Sequence, residues 1–390
     1  MKKRILYLTY FYEPDLSAGS FRNTALAGAL SKELGEAGDI FLFTSQPNRY
    51  HTYKVQAPAQ EDIGNLHITR ISVPSHKNKF FDQARAYRMY YKIVLQLTRD
   101  RSYDLVLVSS GRFFSSHLGY KIAKNKNIPL YLDIRDIFSD TLKHVIQNKW
   151  YQKPLTLFLE YLEKKPFKYA SHINLVSEGF KNYFIKYPGS YTYFTNGIDD
   201  EFLQSGKLNN CLEKQVLTIT YAGNIGDGQG LEKIIPEAAK QLSGKYHFKI
   251  IGDGGARPAL QKRLDDLKVK NVEILDPVSR SELLKVYEDS DFLFLHLNNY
   301  DAFKKVLPSK LFEYAAYPKP LVAGVSGYAE EFINRYVPNT ILFAPGDVAG
   351  LTQQLGNYIY QSSERTEFIE KFSRRNIVRE MAKNIIFYLK

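Results

Sequence analysis

Three short stretches in the second half of this 390-residue chain hold the residue types best placed to do chemistry. The first, Ala222-Gly223-Asn224-Ile225-Gly226-Asp227-Gly228-Gln229-Gly230, follows the apolar run Ile219-Thr220-Tyr221 and precedes a helical pattern from Leu231. Glycines let a backbone approach a phosphate closely, and the amides and dipole of the helix that follows favour negative charge. A tight turn would use the same glycines, so the neighbours must decide between the two. The second stretch, Ile250-Ile251-Gly252-Asp253-Gly254-Gly255, again runs from apolar residues into a glycine turn, on the carboxyl side of a sheet where open α/β folds bind ligands. In the third, Pro308-Ser309-Lys310-Leu311-Phe312-Glu313, a helix starting at Pro308 puts Ser309 and Lys310 in a first turn with free amides. Glu313 then lies one turn later on a neighbouring face, so one end would hold phosphate and the other a sugar hydroxyl.

The elements that must carry these loops are visible as short apolar runs. Ile5–Thr9, Ile40–Thr44, Leu105–Val108 and Leu130–Leu132 suit parallel strands buried on both faces, and segments such as Asn23–Leu34 between them keep helical spacing. The rhythm restarts at Val216–Tyr221 and continues through Phe248–Ile251, Val272–Leu275, Phe292–Leu295 and Pro320–Ala323. Two α/β, Rossmann-like domains are expected: residues 1–198, joined by a C-terminal helix at about 373–390, and residues 216–372, with a polar linker at 199–215.

Composition narrows the class. Hydrophobic residues make up 44% and charged residues 24%, the balance of a chain that buries a core. The single cysteine, Cys211, excludes an internal disulfide framework and a cysteine-based metal cluster. The start, Met1-Lys2-Lys3-Arg4 followed by Ile5-Leu6-Tyr7-Leu8, reads as a first strand rather than a signal peptide, since Tyr10, Glu13 and Asp15 interrupt the apolar run. No run of apolar residues is long enough to span a bilayer, so a cytoplasmic protein with at most peripheral membrane contact is expected. Residues 1–195 hold 28 Lys+Arg against 16 Asp+Glu, whereas residues 196–390 hold 25 of each, so the whole excess of +12 lies in the first half. A field of one sign attracts lipid head groups, lipid-linked diphosphates or nucleic acid.

The run from Pro308 to Ala323, with Tyr221–Gly230 and Ile250–Gly254 ahead of it, resembles the donor-binding half of family 4 retaining glycosyltransferases, closest to the branch that makes bacterial surface polysaccharides. The resemblance implies a glycosyltransferase-B fold, two Rossmann-like domains facing each other across a cleft. It implies transfer of a sugar from a nucleotide diphosphate, with a UDP-linked N-acetylated hexosamine suggested by the branch, to a lipid-linked or polysaccharide acceptor at the inner face of the cytoplasmic membrane. Donor-binding residues by this resemblance are Gly223, Asn224, Gly226, Gln229, Gly230, Asp253, Gly254, Val278, Pro308, Ser309, Lys310 and Glu313, with Gly19 of the loop Ser17–Ser20 capping the diphosphate and Glu313 on the ribose. Arg135 and Asp136 fall where many members place a histidine–aspartate pair facing the transferred sugar. No metal and no cofactor are expected.

Three departures from the family pattern involve four residues. Lys305 stands where a second glutamate usually lies, Asn224 and Gln229 where an arginine and a lysine clamp the diphosphate, and Arg135 where the histidine is expected. Lys310 is the residue assigned to replace the missing cations, joining Arg135 and Asp136 as the catalytic set. The departures keep a non-catalytic nucleotide-sugar-binding subunit in view, beside a sugar-nucleotide 2-epimerase of the same fold.

Other patterns have plainer explanations. Asp289-Ser290-Asp291 has the spacing of a metal motif but sits between a helix and a strand, where capping is expected. Two stretches, 76–101 and 149–165, interleave Lys and Arg with Phe, Tyr and Trp, as in an interfacial membrane helix. Nucleic acid is not expected as a partner, since no recognition-helix or RNA-module signature accompanies them.

Overall fold

A computed structural model describes residues 2–48, 55–74, 80–110, 113–137, 152–203 and 214–389. The chain divides into two units, Met1–Asn196 with Arg374–Lys390, and Gly197–Ser373.

The first unit is built on an eight-stranded sheet. Its strands are β1 (Lys3–Leu8), β2 (Gly38–Ser45), β3 (Gln60–Ile63), β4 (Leu66–Ile71), β5 (Leu105–Ser109), β6 (Leu130–Ile134), β7 (His172–Leu175) and β8 (Ser190–Thr192), in the order β3-β4-β2-β1-β5-β6-β7-β8. Every pair is parallel except β3 with β4, whose register sets Ile63 against Leu66 across a two-residue turn. That connection is too short for a parallel crossover, and β3 carries Gln60, Glu61 and Asp62 on an edge where polar side chains meet water. The central strands β5 and β6 are buried along their whole length, which is why they read as continuous apolar runs.

Helices α1 (Ala18–Leu34), α2 (Phe80–Thr98), α3 (Phe113–Lys126) and α4 (Gln152–Tyr169) cover this sheet. The C-terminal helix Arg374–Phe387 returns to the same unit and packs on α1, where Val378, Met381, Ala382 and Ile385 join Leu26, Ala27 and Leu30 in one core cluster. At the heart of the unit Arg22 of α1 forms a bidentate pair with Asp133 of β6, with Nε at 3.0 Å from Oδ2 and Nη2 at 2.9 Å from Oδ1, both side chains being essentially inaccessible.

The second unit holds six parallel strands, β9 (Leu217–Ala222), β10 (Tyr246–Ile251), β11 (Val272–Leu275), β12 (Phe292–His296), β13 (Leu321–Gly324) and β14 (Thr340–Phe343), in the order β11-β10-β9-β12-β13-β14. Helix α5 (Leu231–Gln241) buries Leu231, Ile234, Ile235, Ala238 and Ala239 against them, an i, i+3, i+4, i+7, i+8 stripe. The expected linker at 199–215 begins inside this unit, because Asp199 and Glu201 both pair with Arg280. Residues 204–213, including Cys211, lie outside the described residues.

Candidate functional site

Each sheet reverses its strand order once, between β1 and β5 in the first unit and between β9 and β12 in the second. At such a point the connections leave in opposite directions and open a crevice beyond the carboxyl ends of the strands.

In the second unit the loop Gly223–Gly230 leaves β9 at this crevice. It is stitched to the turn after β10, with Gly223 N–H donating to Ile251 O at 2.9 Å and Ile225 N–H to Asp253 O at 2.9 Å. Gly252 (φ +147°) is required by this stitching, since a Cβ there would lie 1.8 Å from Gly223 O. The glycines at 252 and 254 thus let one loop pack closely on the other at the carboxyl side of the sheet. Gly230 holds a left-handed backbone (φ +58°) at the head of α5, and its Cβ would lie 2.6 Å from Asn298 Oδ1. Asn224 and Gln229, the neutral residues in place of a cationic clamp, bond to each other, Nδ2 to Oε1 at 2.9 Å.

Two residues that the sequence did not single out brace this loop from β12. His296 ends the strand with Nδ1 2.6 Å from Gln229 O, while its Nε2 accepts from Gly346 N–H at 3.0 Å, which assigns the neutral ring with its proton on Nδ1. Burial pushes its pKa down from 6.5 to about 4. Asn298 donates from its backbone N–H to Gly228 O at 2.9 Å and from its side chain to Asp227 O. The available signal was one polar side chain closing the apolar run Phe292–Leu295, and a second two residues on.

Helix α6 (Ser309–Ala315) begins after Pro308, with Ser309 and Lys310 in its first turn as expected. Lys310 is not a free cation. Its Nζ lies 2.7 Å from Glu313 Oε2 and 3.1 Å from Tyr287 OH, and Tyr287 OH donates to the same Oε2 at 3.3 Å. Burial raises the Tyr287 pKa well above its ordinary value, which keeps the phenol a donor. The hydrogen bonds described for Glu313 all use Oε2, so Oε1 is left to accept from a hydroxyl. Asp253 faces its own turn, accepting from Gly254 N–H at 2.8 Å, and Val278 is half-buried in the connection after β11. Asp289-Ser290-Asp291 has a structural use: Ser290 closes the helix Arg280–Asp289, and buried Asp291 accepts from Thr218 N–H and Lys214 Nζ, each at 2.8 Å. Among the described residues no group of three or more His, Cys, Asp or Glu is placed to hold a metal.

The first unit brings Gly19 and Arg135 together and leaves Asp136 exposed. Arg135 follows β6 and is anchored by its backbone N–H on Ser110 Oγ at 3.0 Å. Burial draws its pKa below the ordinary arginine value, an effect that neighbouring Asp133 opposes.

Residues 209–375 match the family model of glycosyl transferases group 1. WcaI of Escherichia coli strain K12, assigned to colanic acid biosynthesis as a glycosyl transferase, is 25% identical over 173 residues, spanning 43% of this chain and 42% of WcaI. Among solved structures, sucrose-phosphate synthase from Thermosynechococcus elongatus superimposes with a TM-score of 0.67 at 12% identity, covering 98% of this chain and 95% of that one. HepE of Anabaena, solved in complex with UDP and glucose, gives a TM-score of 0.60 at 15% identity, over 98% and 96% of the two chains. The fold is thus the glycosyltransferase-B type expected from the sequence.

Proposed function

On the premise that residues 209–375 form a group 1 glycosyl transferase domain, we propose that this protein is a retaining glycosyltransferase of bacterial surface-glycan synthesis. It moves a sugar, an N-acetylated hexosamine or one similar, from a UDP-type nucleotide diphosphate to a lipid-linked or polysaccharide acceptor. The observation that carries this reading is the gathering, at the carboxyl ends of β9 and β12, of a braced glycine loop and the Lys310–Glu313 end of α6. Backbone amides of the loop suit a diphosphate, and the free carboxylate oxygen of Glu313 suits a ribose hydroxyl.

In this reaction the bond from the anomeric carbon to the phosphate oxygen breaks, the acceptor oxygen bonds to the same face of that carbon, and the acceptor proton passes to the leaving phosphate. The protein supplies orientation and preorganised donors rather than a nucleophile, and no metal is needed. A thermal-shift panel of nucleoside diphosphates and nucleotide sugars without added metal tests it. One nucleotide family should stabilise the wild type by about 2.7 kcal/mol at a hundred times its Kd, and Glu313→Ala should abolish the shift. A folded wild type stabilised by no nucleotide would remove the donor site and leave a non-catalytic protein.

The acceptor side of the reading is membrane contact at the cytoplasmic face. No helix among the described residues is long and apolar enough to cross a membrane. Helix α4 instead exposes Leu157 (66%), Phe158 (56%) and Tyr161 (56%). Exposed Lys153, Lys164 and Lys168 flank them, and Lys165 Nζ sits 4.4 Å from the Tyr161 ring centre. Such a face matches an anionic bilayer surface. Lys77 and Lys79 of the first basic stretch, and Lys149, Trp150 and Tyr151 of the second, lie outside the described residues. Vesicles with anionic lipid should co-sediment the protein, zwitterionic vesicles should not, and Leu157→Glu with Phe158→Glu should release it. Equal sedimentation of wild type and double variant would sink the assignment of α4.

A further inference from the structure

An ion pair spaced i, i+3 near the surface constrains its own geometry weakly, because two long side chains must be ordered for a modest Coulomb gain. In α6 the pair of Lys310 and Glu313 is closed by a third side chain from another element. Tyr287, in the helix Arg280–Asp289, is fully buried; its hydroxyl accepts from Lys310 Nζ at 3.1 Å and donates to Glu313 Oε2 at 3.3 Å. With Lys310 Nζ itself 2.7 Å from Oε2, that oxygen has both lone pairs engaged, and Oε1 is the one left for a ligand.

The phenol is fixed by its surroundings. Its ring meets Tyr314 and Tyr317 edge-on, with centroids 5.3 Å and 5.5 Å away, and lies 6.1 Å from the ring of Phe202. Tyr314, next to Glu313 in sequence, ties α6 to the end of β9: its hydroxyl accepts from Ala222 N–H at 3.0 Å and donates to Ala222 O at 3.1 Å. The glycine loop starts at the following residue, and Lys310 Cε lies 3.7 Å from the point where a Cβ on Gly223 would sit. Two buried tyrosines therefore hold the carboxylate and the loop at one separation. A phosphate at the loop would compete with Glu313 for Lys310, whereas the neutral phenol has no such competitor and keeps Oε2 occupied.

We infer that Tyr287 is a positioning residue: it holds Glu313 with Oε1 turned to the ligand, and so sets the preference of the site for ribose over deoxyribose nucleotides. The inference rests on the transferase reading for the ligand, a nucleoside diphosphate. Nothing in the sequence marks Tyr287 for this use, since it lies 26 residues before Glu313 on a helix of its own.

Calorimetric titration of the full-length protein with UDP, GDP and ADP, and with the 2′-deoxy and 3′-deoxy form of each, tests it. The wild type should bind its ribonucleotide at least about tenfold more tightly than one of the two deoxy forms, the ratio for a hydrogen bond to a charged group. Tyr287→Phe keeps the ring contacts and should bring that ratio to about three or below, with affinity for inorganic pyrophosphate unchanged. Tyr287→Leu, which removes the ring as well, should give the same ratio with a lower melting temperature, separating the hydroxyl from the packing. Tyr317→Phe, at a second buried tyrosine of the same ring cluster, should keep the wild-type ratio. A ribose preference that survives in Tyr287→Phe, or that falls equally in Tyr317→Phe, overturns the inference and leaves the transferase reading standing. A wild type that binds its nucleoside diphosphate and both deoxy forms alike overturns it too, and a folded wild type that binds no nucleoside diphosphate overturns both.

Discussion

Asp133→Asn should cost about 3–5 kcal/mol of stability, the range for breaking a buried ion pair from one side. Asp133 is wholly buried, and it holds three donors: Arg22 Nε, Arg22 Nη2 and, at 2.7 Å, Asn174 Nδ2. Asparagine matches its shape but leaves the Arg22 guanidinium as a charge without a counter-charge, deep between α1 and β6. Arg22 also donates to the carbonyls of Phe194 and Thr195, so the damage should reach the segment after β8. Urea unfolding of the single variants Asp133→Asn and Arg22→Leu and of the double variant measures the coupling. Removing both charges should cost clearly less than the sum of the singles, because the uncompensated ion is then gone. Additive losses would mean that the pair contributes through packing alone.

That pair shows what a sequence leaves hidden. Arg22 and Asp133 stand 111 residues apart, and no periodicity or spacing connects them. Gly19 and Arg135 meet in the same corner, each in plain view of the sequence but with nothing there to link the two. The strands β1, β5, β9 and β12 were legible because burial on both faces writes a continuous apolar run. β3, β7 and β8 were not: they are three or four residues long, and β3 and β8 are edge strands with mostly polar side chains.

At the proposed donor site the positions were legible and some of their uses were not. Glycines at 252 and 254 mark a turn that only glycine can make, yet the atoms they approach are backbone carbonyls of the neighbouring loop. Lys310 and Glu313 were placed on one helix end, where the i, i+3 spacing then lets them neutralise each other. Spacing alone cannot tell such a pair from two groups that each face a ligand.

Acidification from pH 6.5 to 5 should destabilise both units, by about 1.4 kcal/mol per pH unit for each of two buried histidines. His296 in the second unit and His172 in the first have pKa values pushed by burial from 6.5 down to about 4. His172 is enclosed by hydroxyls, with Nδ1 2.7 Å from Ser190 Oγ and 2.9 Å from Tyr388 OH, and Nε2 2.9 Å from Thr192 Oγ1. Because the folded pKa lies below the unfolded one, the unfolded chain binds more protons throughout the interval from 6.5 to 4. The stabilisation is therefore complete above pH 6.5 and falls as the pH drops toward 4. For His296 the cost has a structural address, since a proton on Nε2 removes the acceptor of Gly346 N–H, while Nδ1 continues to hold Gln229 O. Its loss should release the turn at Gly346 after β14, while the loop that carries Gln229 and Gly230 stays held. Urea midpoints for wild type, His172→Gln and His296→Gln between pH 8 and 5 decide the matter. Each variant should start less stable at pH 8 and show a flatter pH slope, and slopes equal to the wild type would assign the acid sensitivity to other groups.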